Sequence, residues 1–448
     1  MADKTLHRVV IVGGGFGGLH AAFQLRSAPA RVTLVDSRNF HLFQPLLYQV
    51  ATGALSPANI AAPLRALVRR QKNTEVVMAR AVGVDAVNNQ LMLEDGEIPY
   101  DTLIVATGSR YNYFGKDEWS AIAPALKTVE DATQIRRKIL SAFESAEREK
   151  NPDRVKTLLT FVIVGAGPTG VEMAGALSEV AHRTLRDDFR SIDPTMTRIY
   201  LLDTAERVLP AYPPDLSASG EKALRHLGVI TRLKTKVTNI SAEGVSINSG
   251  GNDEFIAAHT VLWAAGIISS PLAKAVADAT GAKTDKLGRI IVEPDLTIAG
   301  HPEVVVIGDT AQFTPPGGKP LPGVAPVAMQ QGRYAAELIR ARLKGRNLQP
   351  FKYHDKGNMA TIGRAAAVAD LGWIKFSGFL AWLAWLFVHL MYLVQFDNKL
   401  LVLFQWAWNY FTFNRSARLI TGPVDVKPAS ELPEPHLVPT GKDQRGML

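Results

Sequence analysis

Two short apolar runs, VVIV at 9–12 and FVIV at 161–164, stop at glycine-rich turns and lead into helical patterns. Runs with no polar position predict strands buried on both faces of a parallel sheet, since a half-exposed strand would alternate. The turns read GGGFGG at 13–18 and GAGPTG at 165–170. Gly13, Gly15 and Gly18 in the first, and Gly165, Gly167 and Gly170 in the second, take the G-x-G-x-x-G spacing of a dinucleotide fingerprint, with Phe16, Gly17, Pro168 and Thr169 inside the turns. Backbone N–H groups at such a helix start can hold a pyrophosphate. The next strands, RVTLVD at 31–36 and TRIYLLD at 197–203, both close on an aspartate. Asp36 and Asp203 are thereby placed to accept hydrogen bonds from ribose hydroxyls. Two nucleotide sites in one chain imply a relay.

The pattern between and after these units completes two Rossmann-like α/β domains. Residues 74–95 read as a β-meander, with Val82 assigned to cofactor binding. Residues 101–108 give a return strand ending in Ala106, Thr107 and Gly108, and 260–266 repeat that design with Ala265 and Gly266. Small residues there let backbone approach a planar ring. The segment 127–150 is helical, with Ile135, Ile139 and Phe143 spaced three to four apart, and predicts a helix flanking the domain junction. EVVVIGD at 303–309 is a strand followed by Gly-Asp and resembles the second flavin fingerprint of two-dinucleotide-domain reductases, which implies that Asp309 binds the ribityl chain. The helix that follows from 325 brings Ala328 near the same group. If the 303–309 strand rejoins the first sheet, the FAD domain is split and the NADH domain is inserted in it. The division expected is 1–115 and 281–345 for the FAD domain, 116–280 for the NADH domain, 346–422 for a C-terminal membrane-anchoring region and 423–448 for a disordered tail. Residues 40–53 are apolar with neither a helical nor a strand period, as expected of a loop lining a site.

At the C-terminal end, 376–396 carry no acidic or strongly basic side chain. As one helix they would reach about 31 Å, enough to span a bilayer. Yet Trp382, Trp385, His389, Tyr392 and Phe396 recur at spacings of three and four, a ring stripe suited to the headgroup interface. Farther on, Gln405, Asn409, Thr412 and Ser416 oppose Leu401, Phe404, Trp408 and Phe411, the pattern of a helix lying in the surface. Monotopic attachment is the expectation, with a single span left open.

Composition narrows the chemistry. The chain has no cysteine, which removes disulfides, thiolate metal sites, iron–sulfur clusters and any thiol-based electron relay. No metal site is expected. The formal charge of +8 comes from scattered Lys and Arg without a nucleic-acid signature, so it fits anionic cofactors or an anionic membrane face and no nucleic acid. The N-terminus has no long apolar region, so the nucleotide domains are expected in the cytoplasm.

Three further stretches carry a resemblance: FQPLLYQVATG at 43–53, APVAMQQ at 325–331 and KGNMATIG at 356–363. With the two fingerprints, they make the chain similar to the type II NADH dehydrogenases from about residue 5 to 420. That resemblance implies FAD and NADH as cofactors, hydride transfer from NADH to flavin, and reduction of quinone at the cytoplasmic face of the inner membrane. It implies that Gln330 and Gln331 border the quinone pocket, with Pro326 replacing a commoner glutamine, and that Lys356 sits near the quinone head group. A helix cap for the glutamines and a surface position for the lysine are the alternatives. Glu172 either favours the positive helix end or, as the resemblance implies, faces the nicotinamide–flavin contact. Asp203 favours NADH over NADPH, while Arg207 leaves dual specificity open. The competing readings are a soluble flavin reductase serving a protein partner, which has no use for the Trp-rich end, and a sulfide:quinone oxidoreductase, which needs the missing cysteines. A signalling flavoprotein is the non-enzymatic one. The quinone used and homodimer formation are left open.

Overall fold

Six strands form the first sheet in the order Thr297–Ile298, His301–Val306, Thr102–Val105, His7–Val12, Ala30–Asp36 and Thr74–Met78. All are parallel except the short Thr297–Ile298 edge strand. The computed structural model describes residues 6–412 and 415–422 of the chain. Both faces of this sheet are covered, which is why its strands are apolar without alternation. Val9, Ile11, Val32, Leu34 and Ile104 pack with Leu19 and Ala22 of the helix Phe16–Gln24 and with Leu338 of the helix Ala325–Arg342. Val10, Val12, Val35, Leu103 and Val105 pack on the opposite side with Leu272 and Val276. These last two lie on the helix Pro271–Thr280, so that helix belongs to the first core although the sequence reading grouped it with the second unit. Register pairs Ile11 with both Leu34 and Ile104, and Val304 with Leu103. The strand His301–Val306 thus closes a sheet begun at the N-terminus.

The second sheet runs Val229–Arg232, Arg198–Leu202, Thr160–Val164 and Thr260–Trp263, all parallel. Each unit carries an antiparallel meander, at residues 81–99 and 235–257. The strand Thr74–Met78, expected within the first meander, instead extends the main sheet next to Ala30–Asp36. A two-stranded ribbon, Ser109–Tyr111 against Ile267–Ser269, crosses between the units. The helix Val129–Arg148 buries Ile135, Ile139 and Phe143 in a core shared with Phe161, Leu177 and Leu47.

Residues 40–53 are no loop. They fold as a short strand Phe40–Leu42, a 3-10 turn Gln44–Leu46 and a helix Leu47–Ala51. Leu46, Leu47, Tyr48, Val50 and Ala51 are all buried, so apolar residues on every side removed the helical period from the sequence.

The C-terminal part begins with a three-stranded antiparallel sheet, Asn358–Thr361, Ala367–Asp370 and Lys375–Gly378. It continues in two helices, Phe379–Tyr392 and Phe396–Thr412. The apolar run 376–396 is therefore divided among a strand, a 14-residue helix and a turn. Gly378, at φ +82°, separates strand from helix, and the buried Leu393 leaves the helix in an extended conformation. Among the described residues no helix is long and apolar enough to cross a membrane. The ring stripe divides as well: Trp385 is 1 % exposed and stacks on His389, whereas Tyr392 is exposed. On the second helix Leu401, Phe404, Trp408 and Phe411 face outward, while Asn409 bonds inward to Ala54 O. Residues 423–448, expected to be disordered, lie outside the described residues.

Candidate functional site

Each glycine turn is locked to the aspartate that follows it. Gly14 N donates to Asp36 Oδ2 at 2.6 Å and Arg38 N to Oδ1 at 2.7 Å. In the second unit Ala166 N donates to Asp203 Oδ2 at 2.5 Å and Ala205 N to Oδ1 at 2.8 Å. Carboxylate oxygens have further lone pairs, so both aspartates can also accept from a ribose. Burial pushes the Asp36 carboxyl upward, and the two backbone N–H bonds hold it down.

The glycines divide into two kinds. A Cβ on Gly18 would stand 1.8 Å from Gly13 O, and one on Gly170 would stand 1.8 Å from Gly165 O. These two let the helix press on its own turn. On Gly15 or Gly167 a Cβ would meet no protein atom within 4 Å. Bareness there leaves room outside the protein, at the helix start where backbone N–H groups gather a pyrophosphate. Gly332 makes a third close approach, its Cβ position being 2.2 Å from Gly17 O. It lets the helix Ala325–Arg342 cross the helix Phe16–Gln24 with its N-terminus at the same opening.

That opening is a cleft of about 830 Å³ between the two units. Of the predicted residues it is lined by Gly13, Gly15, Phe16, Gly17, Asp36, Ala106, Thr107, Gly108, Asp309 and Ala328, and from the second unit by Thr169 and Glu172. Gly18, Gly165, Gly167, Pro168, Gly170, Asp203, Ala265 and Gly266 do not line it. Val82 is outside it too, 47 % exposed on the strand Ala81–Asp85. The cleft matches an adenine dinucleotide with a flavin: turn and carboxylate at one end, small residues 106–108 along the middle, a carboxylate and a helix N-terminus at the other. At that other end Ser109 Oγ donates to Asp309 Oδ2 at 2.6 Å, and Lys127 Nζ donates to Ser109 Oγ at 3.0 Å and stands 3.6 Å from Asp309. Sequence reasoning missed Ser109 and Lys127. Ser109 directly follows the A-T-G turn, but nothing local points to Lys127.

Glu172 is the fifth residue of the helix Pro168–Glu179, just past its first turn, and lines the cleft. Among the described residues its hydrogen bonding is confined to a long contact, 3.5 Å from Thr361 N, and burial pushes its carboxyl up to about 8. It therefore keeps its proton at neutral pH. Tyr48 lies beside it, lining both the cleft and a second cavity of about 90 Å³ beneath the C-terminal helices. Burial raises the Tyr48 phenol well above its ordinary value, with the Glu172 charge adding to the effect.

The glutamine pair is engaged by the protein itself. Gln331 is 1 % exposed, its amide oxygen accepting from Gly308 N at 2.7 Å, so it fixes the turn before Asp309. Gln330 exchanges two bonds with the His354 backbone at 2.9 and 3.0 Å. Neither lines the cleft, and Lys356 is exposed outside it. Helix spacing explains the outcome, since adjacent residues point about 100° apart and cannot face one ligand together. Arg207 turns back to its own loop, donating to Pro210 O and Tyr212 O.

Comparison with known proteins follows the same division of the chain. Residues 7–332 match the family model of pyridine nucleotide-disulphide oxidoreductases, and residues 355–415 match that of the NDH2 C-terminal domain. Type II NADH:quinone oxidoreductase NdhA of Mycobacterium tuberculosis is 45 % identical over 425 residues, covering 93 % of this chain and 89 % of the relative. Among solved structures, NDH2 from Plasmodium falciparum in complex with NADH superposes with a TM-score of 0.85 at 18 % identity, over 93 % of this chain and all of that one. The sulfide:quinone oxidoreductase of Aquifex aeolicus gives a TM-score of 0.68 at 17 % identity over 92 % of each chain.

Proposed function

The chain belongs to the pyridine nucleotide-disulphide oxidoreductases, in their type II NADH:quinone oxidoreductase branch, and we propose that its two units act on opposite ends of one electron path. It is an FAD enzyme that oxidises NADH and reduces quinone. When bound, the flavin supplies the chemistry, accepting a hydride and passing on two electrons. The protein's part is binding, orientation and proton control.

In this reading Gly15 and Gly167 are the pyrophosphate seats, and Asp36 and Asp203 the ribose acceptors. Asp309, held by Ser109 and Lys127, would hold the ribityl chain, and the start of the helix Ala325–Arg342, which lines the same cleft, would favour negative charge on the flavin. Asp203 would repel a 2′-phosphate, and Arg207, engaged with its own loop, does not offset it. Glu172 stores a proton beside the reacting edge at neutral pH. Quinone reaches that edge along Leu42, Pro45, Leu47 and Tyr48, from the side where the C-terminal helices lie.

Those helices are proposed as the attachment to a lipid surface on the cytoplasmic side. Phe379, Leu380, Phe387, Leu401, Phe404, Trp408 and Phe411 project outward, a continuous apolar face that suits a helix pair lying in the interface. Attachment is thus monotopic.

The observation that carries this reading is the pair of matched aspartate–glycine cradles flanking a cleft that ends at Glu172. It is tested by loading the membrane-extracted enzyme with NADH or NADPH and a short-chain quinone. NADH should bleach the flavin and support turnover at least about tenfold faster than NADPH, the effect of roughly 1.4 kcal/mol. A bound flavin that NADH leaves oxidised would overturn it.

A further inference from the structure

The helix Pro168–Glu179 begins at the NADH-side turn, carries Glu172 over the cleft and ends at Glu179. Seven residues are nearly two helical turns, so both carboxylates lie on one side of a rigid rod. Glu179 takes no part in the chemistry above. Its Oε2 accepts from Arg415 Nη2 at 2.8 Å, and its Oε1 accepts from Arg364 N. The side chains are only 10 % and 15 % exposed, for Arg415 and Glu179 respectively. Burial lowers the Arg415 guanidinium, and the Glu179 charge is the main influence sustaining it.

Arg415 follows the second C-terminal helix, and the same stretch of chain grips residues 48–54. Ala417 N donates to Gly53 O at 3.1 Å, and Asn409 Nδ2 to Ala54 O at 3.3 Å. Trp406 Nε1 donates to Gln49 Oε1 at 2.7 Å, whose amide nitrogen donates to Tyr48 Oη at 2.9 Å. Arg418 completes the grip through Asp188, next to the end of the same helix region. Tyr48, the wall between the cleft and the second cavity, is therefore held from the C-terminal segment on one side and stands beside Glu172 on the other.

We propose that Glu179 is a positioning residue for quinone: its pairing with Arg415 locks the C-terminal segment to the Glu172 helix and so fixes Tyr48 at the quinone-facing wall. The pair sets where the oxidising substrate meets the site and leaves the NADH side untouched. This rests on the route proposed above, in which quinone arrives along residues 42–48.

The test uses the flavin-loaded full chain, comparing wild type with Glu179→Gln, Arg415→Gln and Arg415→Lys. Three quantities are read: anaerobic flavin reduction by NADH in stopped flow, KM and kcat for a short-chain quinone, and Tm. Glu179→Gln and Arg415→Gln should raise the quinone KM about tenfold or more while NADH-driven reduction stays within about twofold, and Arg415→Lys should recover most of the KM. Glu179→Gln keeps the side-chain volume and one acceptor oxygen, and carries the test if Arg415→Gln fails to fold. An unchanged quinone KM in folded Glu179→Gln overturns the proposal. So does an equal loss in both half-reactions with a lowered Tm, which is a merely structural role. If wild type itself reduces no quinone, the functional reading fails instead, and the two failures are distinct.

Discussion

Glu172 is a carboxyl held far from its ordinary behaviour by burial. Burial pushes its carboxyl from the ordinary 4.5 up to about 8 in the folded protein. The folded state thus holds a proton the unfolded chain releases between those values. Stability from this group is complete below about 4.5, falls as pH rises and is gone above about 8. Glu172→Gln should therefore show a Tm advantage over wild type that widens from pH 5 to pH 9. If the stored proton serves quinone reduction, wild-type kcat should also fall above about pH 8, and the glutamine variant should lose that limb from a lower plateau. A parallel pH profile in both would exclude the role. Two glycines give a second contrast. Gly15→Ala meets no protein atom and has φ −72°, which alanine tolerates, so it should fold with an unchanged apo Tm yet lose flavin about tenfold or more. Gly18→Ala drives a methyl into Gly13 O and should cost about 3 kcal/mol or more, seen as loss of soluble protein.

Elements differ in how far the sequence disclosed them. Strands, glycine turns and terminal aspartates were legible because they are local: an apolar run, a turn and an acid lie between 9 and 36 in one unit and between 161 and 203 in the other. The helix Leu47–Ala51 was not, since burial all round leaves no period. The division of the 376–396 run was not either, because one glycine at positive φ outweighs an apolar pattern that looks continuous. The glutamines at 330 and 331 were assigned one purpose by motif, and their directions, about 100° apart on the helix, engage them with different partners. Lys127 and the Glu179–Arg415 pair join residues far apart in the chain, which no window of sequence displays. At this scale the C-terminal helices make a prediction of their own. Phe404 and Phe411 are 71 % and 80 % exposed, so replacing both with aspartate should change stability by no more than about 1 kcal/mol while abolishing co-sedimentation with liposomes. Retained liposome binding would exclude this face as the anchor.

Across the whole molecule each carboxylate is held within its own unit, Asp36 by Gly14 and Asp203 by Ala166, while the units meet at the cleft, at the 109–111/267–269 ribbon and in a shared core where Leu47 packs with Phe143 and Leu177. Damage should therefore divide cleanly. Asp36→Ala should release flavin from a chain that still folds, whereas Asp203→Ala should keep its flavin and raise the KM for NADH about tenfold. Absorbance at the flavin band and a titration with NADH separate the two. The chain shares its fold with a sulfide:quinone oxidoreductase and itself contains no cysteine.

The closing of the first sheet by His301–Val306 has a consequence for how the protein is made. Thr102–Val105 pairs with His7–Val12 on one edge, and its other edge is satisfied only by Val304, Val305 and Val306. At about 5–20 residues per second a ribosome needs roughly 10–40 s to supply that partner. Throughout that interval an apolar strand edge stays open while the inserted unit is translated. Nascent chains halted short of about residue 310 should thus remain sensitive to protease in their first hundred residues and resist it once released at full length.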